Sequence, residues 1–366
     1  MRQLSVLIKP VSGTCNMRCS YCFYTDVMTH WRMPKAAVMS EETLEAVISK
    51  SLEEAEESCT FGFQGGEPVL AGLTFFEKVV EFQKKYNRKN LPIQNLLQTN
   101  GLLIDQNWAI FLRKNRFLVG VSIDGPADLH DRNRRDWMGG KTFARAESGI
   151  RILQEYGVDV NVLSVVTSYS IGREKEIYEY FRENGLHYQK YIPCMPPLFM
   201  EAEKWGHVPT AFQYGMFLIE LFKIWREDRK RGISVYIRFF ENILSVFGGG
   251  MPELCGMCGH CTNQYVVESD GSVYPCDFYV LETYVLGNLR YDSFRNLSFK
   301  QSKTHFIADS MKIHPECALC KWKGLCPECR RERQGRRLEQ LGKNRYCQAY
   351  KMLFEYIVPQ ILDGNL

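Results

Sequence analysis

The chain has 366 residues, 45% of them apolar and 24% charged, which suits a globular protein with one large core or a core plus a smaller domain. A formal charge of +4 and short Lys/Arg runs give no reason to expect nucleic-acid binding. No apolar run reaches the roughly 18 residues that cross a bilayer, and the apolar stretch Leu4–Ile8 lacks a small-residue cleavage site, so a first strand, a cytoplasmic location and no membrane attachment are expected.

In chain order, Ser40 is placed to cap a helix running through Thr43, Leu44, Val47 and Ile48. Residues 60–64 read as a strand closed by Gly65-Gly66, followed by a helix over 75–86. A strand over 93–99 ends at the Asn100-Gly101 turn. Helix 106–113 precedes strand 117–123, helix 143–156 precedes strand 158–167, and helix 174–183 precedes strand 188–192. Repeated units of this length predict an α/β fold on a parallel sheet, open or curled into a partial barrel, with ligands at the carboxyl ends of the strands. Gln64-Gly65-Gly66-Glu67, Gln98-Thr99-Asn100 and Ser122-Ile123-Asp124 fall at those ends, which points to one catalytic mouth.

A helix over 211–229 and a strand over 234–239 lead to Gly248-Gly249-Gly250. Beyond lie a short hairpin, 264–267 and 273–274, and a loop-rich tail dense in cysteine. A segment so poor in long apolar periods is expected to draw stability from bound metal. Arg330-Arg331-Glu332-Arg333 with Arg336-Arg337 reads as a solvated helix face, or else a surface for an acidic partner.

The fourteen cysteines are clustered: three lie at 15–22 and ten between Cys194 and Cys347. In a cytoplasmic chain of this length such clusters indicate metal or cluster ligands in a reducing, low-oxygen setting rather than disulfides. Three thiolates in Cys15-x3-Cys19-x2-Cys22 can hold three irons of a 4Fe–4S cube and leave the fourth open. A zinc site is the plainer alternative, but structural zinc takes four protein ligands and no nearby Cys or His completes one. Cys317-x2-Cys320-x5-Cys326-x2-Cys329 also has a zinc-ribbon look. Cys59 opens a strand and reads as a buried hydrophobe, and Cys194 is expected near the mouth.

Together with Gly65-Gly66-Glu67-Pro68 after the next strand, the triad resembles the radical S-adenosylmethionine (SAM) superfamily. The resemblance implies that SAM chelates the open iron and is cleaved to a 5′-deoxyadenosyl radical, the cofactor carrying the chemistry. It implies that Gly66 and Glu67 hold the SAM amino group, Ser122 and Arg134 its ribose and carboxylate, that Met195 lies along the adenine, and that Tyr21, beside Cys22, lines the site. Cys261-x9-Gly271-x4-Cys276, the central run and Cys347 resemble the SPASM domain of peptide-modifying radical SAM enzymes. By that likeness Cys255, Cys261, Cys276 and Cys329 hold one auxiliary 4Fe–4S cluster and Cys317, Cys320, Cys326 and Cys347 another, for three [4Fe–4S] clusters in all. Four-Cys ligation leaves no open iron, so the auxiliary clusters are expected to move electrons. The family has three residues between the last two cysteines of the central run; here there are two, Pro327 and Glu328. Cys258 competes with Cys255 and Cys261 as a ligand and ranks below both.

Leu7-Ile8-Lys9-Pro10, Cys22-Phe23-Tyr24, Phe63 to Pro68, Gln98 to Gly101 and Tyr274-Pro275-Cys276-Asp277-Phe278-Tyr279 make the chain similar to anaerobic sulfatase-maturating enzymes, end to end. These convert a Cys or Ser in a sulfatase Cys/Ser-x-Pro-x-Arg motif to Cα-formylglycine. The likeness implies Asp277 as the base, Tyr24 and Gln64 as residues orienting the peptide, an unfolded or nascent sulfatase as substrate, a flavodoxin- or ferredoxin-type electron donor, and a monomer. The expected domains are a radical SAM partial (β/α)6 TIM-like barrel over 1–235 and a SPASM-type domain with a C-terminal helix over 236–366. The competing reading is a SPASM maturase that forms thioethers or crosslinks in a ribosomal peptide. Many of those carry a precursor-binding domain before the triad, for which Cys15 leaves no room. A non-catalytic iron–sulfur carrier or zinc adaptor ranks last, because the triad and the Gly-Gly-Glu-Pro segment are both intact.

Overall fold

A computed structural model describes residues 1–25, 38–198, 205–262, 264–334 and 341–364. Its strands are β1 (Gln3–Ile8), β2 (Ser58–Phe63), β3 (Ile93–Thr99), β4 (Phe117–Ser122), β5 (Asp159–Val166), β6 (Tyr188–Pro193), β7 (Tyr236–Ile237), β8 (Tyr265–Val267), β9 (Ser272–Tyr274) and β10 (Gly287–Asn288). The chain forms two compact units, each built from several stretches of sequence.

The first unit comprises Met1–Ser122, Arg134–Val160 and Asn263–Phe306. Its strands run β10-β9-β8-β1-β2-β3-β4 across the sheet. The pairs β1–β2, β2–β3 and β3–β4 are parallel, as the alternation of strands and helices predicts. The hairpin β8–β9 is antiparallel within itself, yet β8 pairs in parallel with β1, Val6 opposite Tyr265 and Ile8 opposite Val267. Helix Glu41–Glu54 begins where Ser40 Oγ accepts from Thr43 N at 3.2 Å, with Glu41 and Glu42 favourably placed in its first turn. Beneath the helices an aromatic core joins Phe63, Phe76, Trp108 and Phe117, with ring centroids 5.1 Å apart for Phe63–Phe76 and 5.2 Å for Phe76–Trp108.

The second unit comprises Ile123–Asn133, Asn161–Thr262 and Ile307–Leu366, and holds the parallel strands β5-β6-β7. Helix Ala211–Lys230 starts with a capping box between Thr210 and Gln213. Its inward face carries Tyr214, Phe217, Leu218, Leu221 and Trp225. The strand expected over 234–239 is confined to Tyr236–Ile237, and a helix runs from Arg238 to Phe247. Buried Phe240 and Ile243, three residues apart, fit a helix, and buried Asn242 caps the amides of Glu253 and Leu254 through its Oδ1. Among the described residues no helix is long and apolar enough to cross a membrane.

Candidate active site

After β1 the chain turns through Ser12 and Thr14 into the cysteine triad. Gly66 N donates to Ser12 O at 2.7 Å and Glu67 N to Thr14 O at 2.8 Å, so the loop after β2 lies directly on the cysteine loop. Only glycine permits this approach. A Cβ on Gly66 would stand 1.9 Å from Thr14 O, and one on Gly65, at φ +134°, would stand 2.7 Å from Ser12 O. Cys15 Sγ accepts from Met17 N at 3.3 Å and from Asn100 Nδ2 at 3.7 Å, and Trp137 Nε1 donates to Cys15 O at 2.7 Å. Cys15 and Cys19 pack against Met17, Leu102 and Ala146. Burial pushes the Cys15 thiol up to about 12, so a metal that takes its thiolate displaces a proton.

Glu67 is buried and fully engaged with the protein. Its Oε1 accepts from Val69 N at 3.1 Å and Thr99 Oγ1 at 2.7 Å, and its Oε2 from Asn100 N at 2.7 Å. Burial raises its carboxyl to about 7, against the opposing pull of these donors. The side chain therefore ties the end of β2 to the end of β3. There Asn100 Nδ2 donates to Asn16 Oδ1 at 2.7 Å, and Gln98 Nε2 donates to Ser122 Oγ at 3.0 Å. Arg134 is buried with its guanidinium 5.4 Å from the centre of the Tyr21 ring.

Asp277, just past β9, collects the groups named for the substrate. Tyr24 Oη donates to Asp277 Oδ2, and Gln64 Nε2 donates to the same oxygen at 3.1 Å and to Tyr24 Oη at 3.3 Å. Lys9 Nζ lies 3.5 Å from Asp277 Oδ1, 2.6 Å from Glu268 Oε1 and 4.4 Å from the centre of the Tyr24 ring. Lys9 and Glu268 are each only 2% exposed. Burial works against the Lys9 charge, but the Glu268 and Asp277 carboxylates outweigh it and raise the ammonium above its ordinary value. Burial first, and then the Asp277 carboxylate, push the Tyr24 phenol well above its usual range.

In the second unit Cys317, Cys320, Cys326 and Cys347 line one cavity with about 500 Å³ of empty space, part of it open to solvent. Glu328, Arg333 and Asn344 share its wall. Cys255 and Cys258 stand at the two ends of a single 3-10 turn, where side chains three apart project on the same side. A Cβ on Gly256 would lie 3.4 Å from Cys329 Cβ, so this turn and Cys329 are in contact. Cys276 belongs to the first unit. Among the described residues no three of His, Cys, Asp and Glu converge to hold a single metal ion; the four cavity thiols are arranged around a space instead.

Residues 10–187 match the radical SAM superfamily, and residues 255–321 match SPASM, an iron–sulfur cluster-binding domain. The chain is 46% identical over 365 residues to the cysteine-type anaerobic sulfatase-maturating enzyme of Clostridium perfringens, covering 99% of this chain and 98% of that one. It is 31% identical over 377 residues to the serine-type enzyme of Bacteroides thetaiotaomicron, covering 98% and 90%. Its structure superposes on native anSMEcpe with bound AdoMet and Cp18Cys peptide with a TM-score of 0.93, at 45% identity over 99% of both chains. The chain belongs to the anaerobic sulfatase-maturating enzyme family. It is thus a radical SAM enzyme with a SPASM extension, and the α/β fold class expected from its sequence stands.

In this sulfatase-maturating enzyme the expected site residues divide between the two units. Cys15, Cys19, Cys22, Tyr21, Gly66, Glu67, Ser122 and Arg134 fall in the first unit around the strand ends, as do Tyr24, Gln64 and Asp277. Met195 follows β6 in the second unit. Cys59 is buried in β2, and Cys194 is buried with its carbonyl accepting from Tyr346 Oη at 2.6 Å.

The arginine patch needs correction. Arg330, Arg331 and Arg333 are buried rather than solvated, and Arg336 and Arg337 lie outside the described residues. Arg331 donates to Pro196 O, and Arg333 donates to Ser310 O at 2.9 Å and to Lys312 O. The loops that present cysteines leave carbonyls without helix or sheet partners, and these guanidiniums satisfy them. Lys9 and Glu268 were missed. A lysine in an apolar strand run was the available signal for Lys9; Glu268, at the end of a short hairpin strand, offered none.

Proposed function

We propose that this chain oxidises a Cys in a Cys-x-Pro-x-Arg segment of an unfolded or nascent sulfatase to Cα-formylglycine. The observation that carries the reading is the convergence of Tyr24 and Gln64 on one oxygen of Asp277, in the same unit as the cysteine triad. When bound, SAM and its cluster supply a radical that removes a Cβ hydrogen, and the auxiliary clusters supply the electron acceptor. Tyr24 and Gln64 mark the Oδ2 side of Asp277 as the place where the target thiol is oriented. Asp277 accepts the thiol proton within hydrogen-bond reach. The thioaldehyde left behind takes up water and releases hydrogen sulfide, giving the aldehyde. Greater identity to the cysteine-type relative than to the serine-type one favours Cys as the target.

The residues fit the groups this chemistry needs. A loop seated by Gly66 presents Cys15, Cys19 and Cys22 for the SAM cluster. The family likeness assigns Tyr21, Gly66, Ser122, Arg134 and Met195 to SAM. Glu67 acts in this scheme chiefly by holding the Asn100 and Val69 amides in place. The four thiols around the cavity suit one auxiliary cluster. The likeness to the SPASM domain assigns Cys255, Cys261, Cys276 and Cys329 to the other, for three clusters. Cys258, on the same turn as Cys255, is the reserve ligand. The division at 235/236, a cytoplasmic monomer and a flavodoxin- or ferredoxin-type donor belong to the same proposal. Anaerobic turnover of paired Cys and Ser peptides, followed by mass spectrometry, tests it. Conversion of the Cys peptide in preference to the Ser peptide is expected; 5′-deoxyadenosine formation with neither peptide changed would move the substrate to another ribosomal peptide.

A further inference from the structure

Lys9 and Glu268 form an ion pair inside the first unit, next to the group proposed to take the substrate proton. The pair closes at 2.6 Å with both side chains 2% exposed. A buried pair of this kind often contributes little net stability against an apolar replacement, so its position calls for another explanation. Lys9 reaches past Glu268 to Asp277 Oδ1 at 3.5 Å and lies over the Tyr24 ring at 4.4 Å. Asp277 is thus held on two sides. Oδ2 accepts from Tyr24 and Gln64, while Oδ1 faces the Lys9 ammonium at 3.5 Å.

Backbone contacts make this arrangement stiff. Lys9 N donates to Val267 O at 2.8 Å, and Ser12 Oγ donates to Ser269 Oγ at 2.9 Å. The same β1–β8 seam that places Lys9 therefore also places Glu268, and β9 delivers Asp277. Lys9 supplies a counter-charge to both carboxylates, 2.6 Å from Glu268 and 3.5 Å from Asp277.

We infer that Lys9 is a positioning residue for the oxidation: anchored by Glu268, its ammonium fixes the orientation of Asp277 and the stacking of Tyr24 so that the radical step is followed by productive proton transfer. This rests on Asp277 being the proton acceptor. The inference gives Lys9 no part in holding SAM or its cluster, so 5′-deoxyadenosine formation should survive its replacement.

The test uses the reconstituted holoenzyme and measures 5′-deoxyadenosine and formylglycine peptide together, with iron content as a control. In Lys9→Met with Glu268→Gln, which removes the buried pair as a unit, 5′-deoxyadenosine formation and iron content should persist while formylglycine per 5′-deoxyadenosine falls about tenfold or more. In an Asp277→Asn background the same two changes should add no further loss, because Lys9 acts through Asp277. An unchanged coupling ratio, or an equal loss in both backgrounds, overturns the inference. If the paired variant does not fold or load iron, Glu268→Gln alone decides: it leaves Lys9 unanchored and should lower the ratio, and a wild-type ratio overturns the inference. A wild-type ratio of formylglycine to 5′-deoxyadenosine in Asp277→Asn sinks the base reading itself. Impaired Asp277→Asn with wild-type Lys9 variants sinks only the role given to Lys9.

Discussion

Gly66 and Glu67 are neighbours with opposite demands on space. Gly66 must have no side chain, because a Cβ there would overlap Thr14 O at 1.9 Å. Gly66→Ala should therefore unseat the triad loop while leaving the sheet intact: iron bound at the SAM site and 5′-deoxyadenosine formation are lost, and far-UV circular dichroism is retained. Glu67 must have a side chain, buried among Val69 N, Thr99 Oγ1 and Asn100 N. Its carboxyl is raised to about 7 from an ordinary 4.5, chiefly by burial. Between those two pH values the folded protein holds a proton that the unfolded chain does not. The contribution of this group to stability therefore falls as pH rises through that window and levels off above it, by at most about 1.4 kcal/mol per pH unit. Glu67→Gln should flatten the dependence of Tm on pH across the window; an unchanged slope would show that Glu67 is not its source. The Gly-Gly-Glu-Pro motif was legible in the sequence, but the partners of Glu67 were not, since Thr99 and Asn100 lie over thirty residues away and reach it only through β-sheet pairing.

Helix packing controls where one proposed ligand stands. Helix Cys347–Leu362 begins at Cys347 and packs on helix Ala211–Lys230, with Tyr346 and Tyr350 ring centroids 4.7 and 6.2 Å from that of Tyr214. Gly215 lets the two backbones close, for a Cβ there would already meet Ala349 Cα and Met352 Sδ at 3.0 Å. Gly215→Val should push the helices apart at a cost of about 1–3 kcal/mol, lowering Tm. Iron should fall with it, because Cys347 moves with its helix away from the cavity that Cys317, Cys320 and Cys326 also line. A drop in Tm with full iron content would separate the helix contact from the cluster site. Periodicity located helix 211–229 to within a residue, yet overextended the strand before Arg238. Short mixed runs such as Ser234–Phe239 carry no period long enough to tell strand from helix, and the burial of Phe240 and Ile243 settles it.

Across the whole molecule the cysteines divide by unit: the triad and Cys276 lie in the first, Cys255, Cys261, Cys329 and the four cavity thiols in the second. Three 4Fe–4S clusters would bring about twelve irons per chain. Replacing Cys317 and Cys320 by Ala should remove about four of these and leave 5′-deoxyadenosine formation in place. Loss of all iron would mean that this site is needed for folding as well as electron transfer.

Local spacing along the chain is enough to reveal part of the chemistry. Cys15, Cys19 and Cys22 can share one cube because a few residues of loop separate them, and Gly65-Gly66 can lie against that loop because neither has a side chain. The strand–helix order was likewise written in apolar periods. Tertiary structure alone decided which distant groups became neighbours. Lys9 and Glu268 are brought together by β1 pairing with β8, although they lie in the first and last stretches of sequence that build the first unit. The arginines near Cys329 turned inward for the same reason that Lys9 could be buried. Whether a charge faces water or a partner depends on which carbonyls and carboxylates folding places beside it, and residue order does not encode that contact.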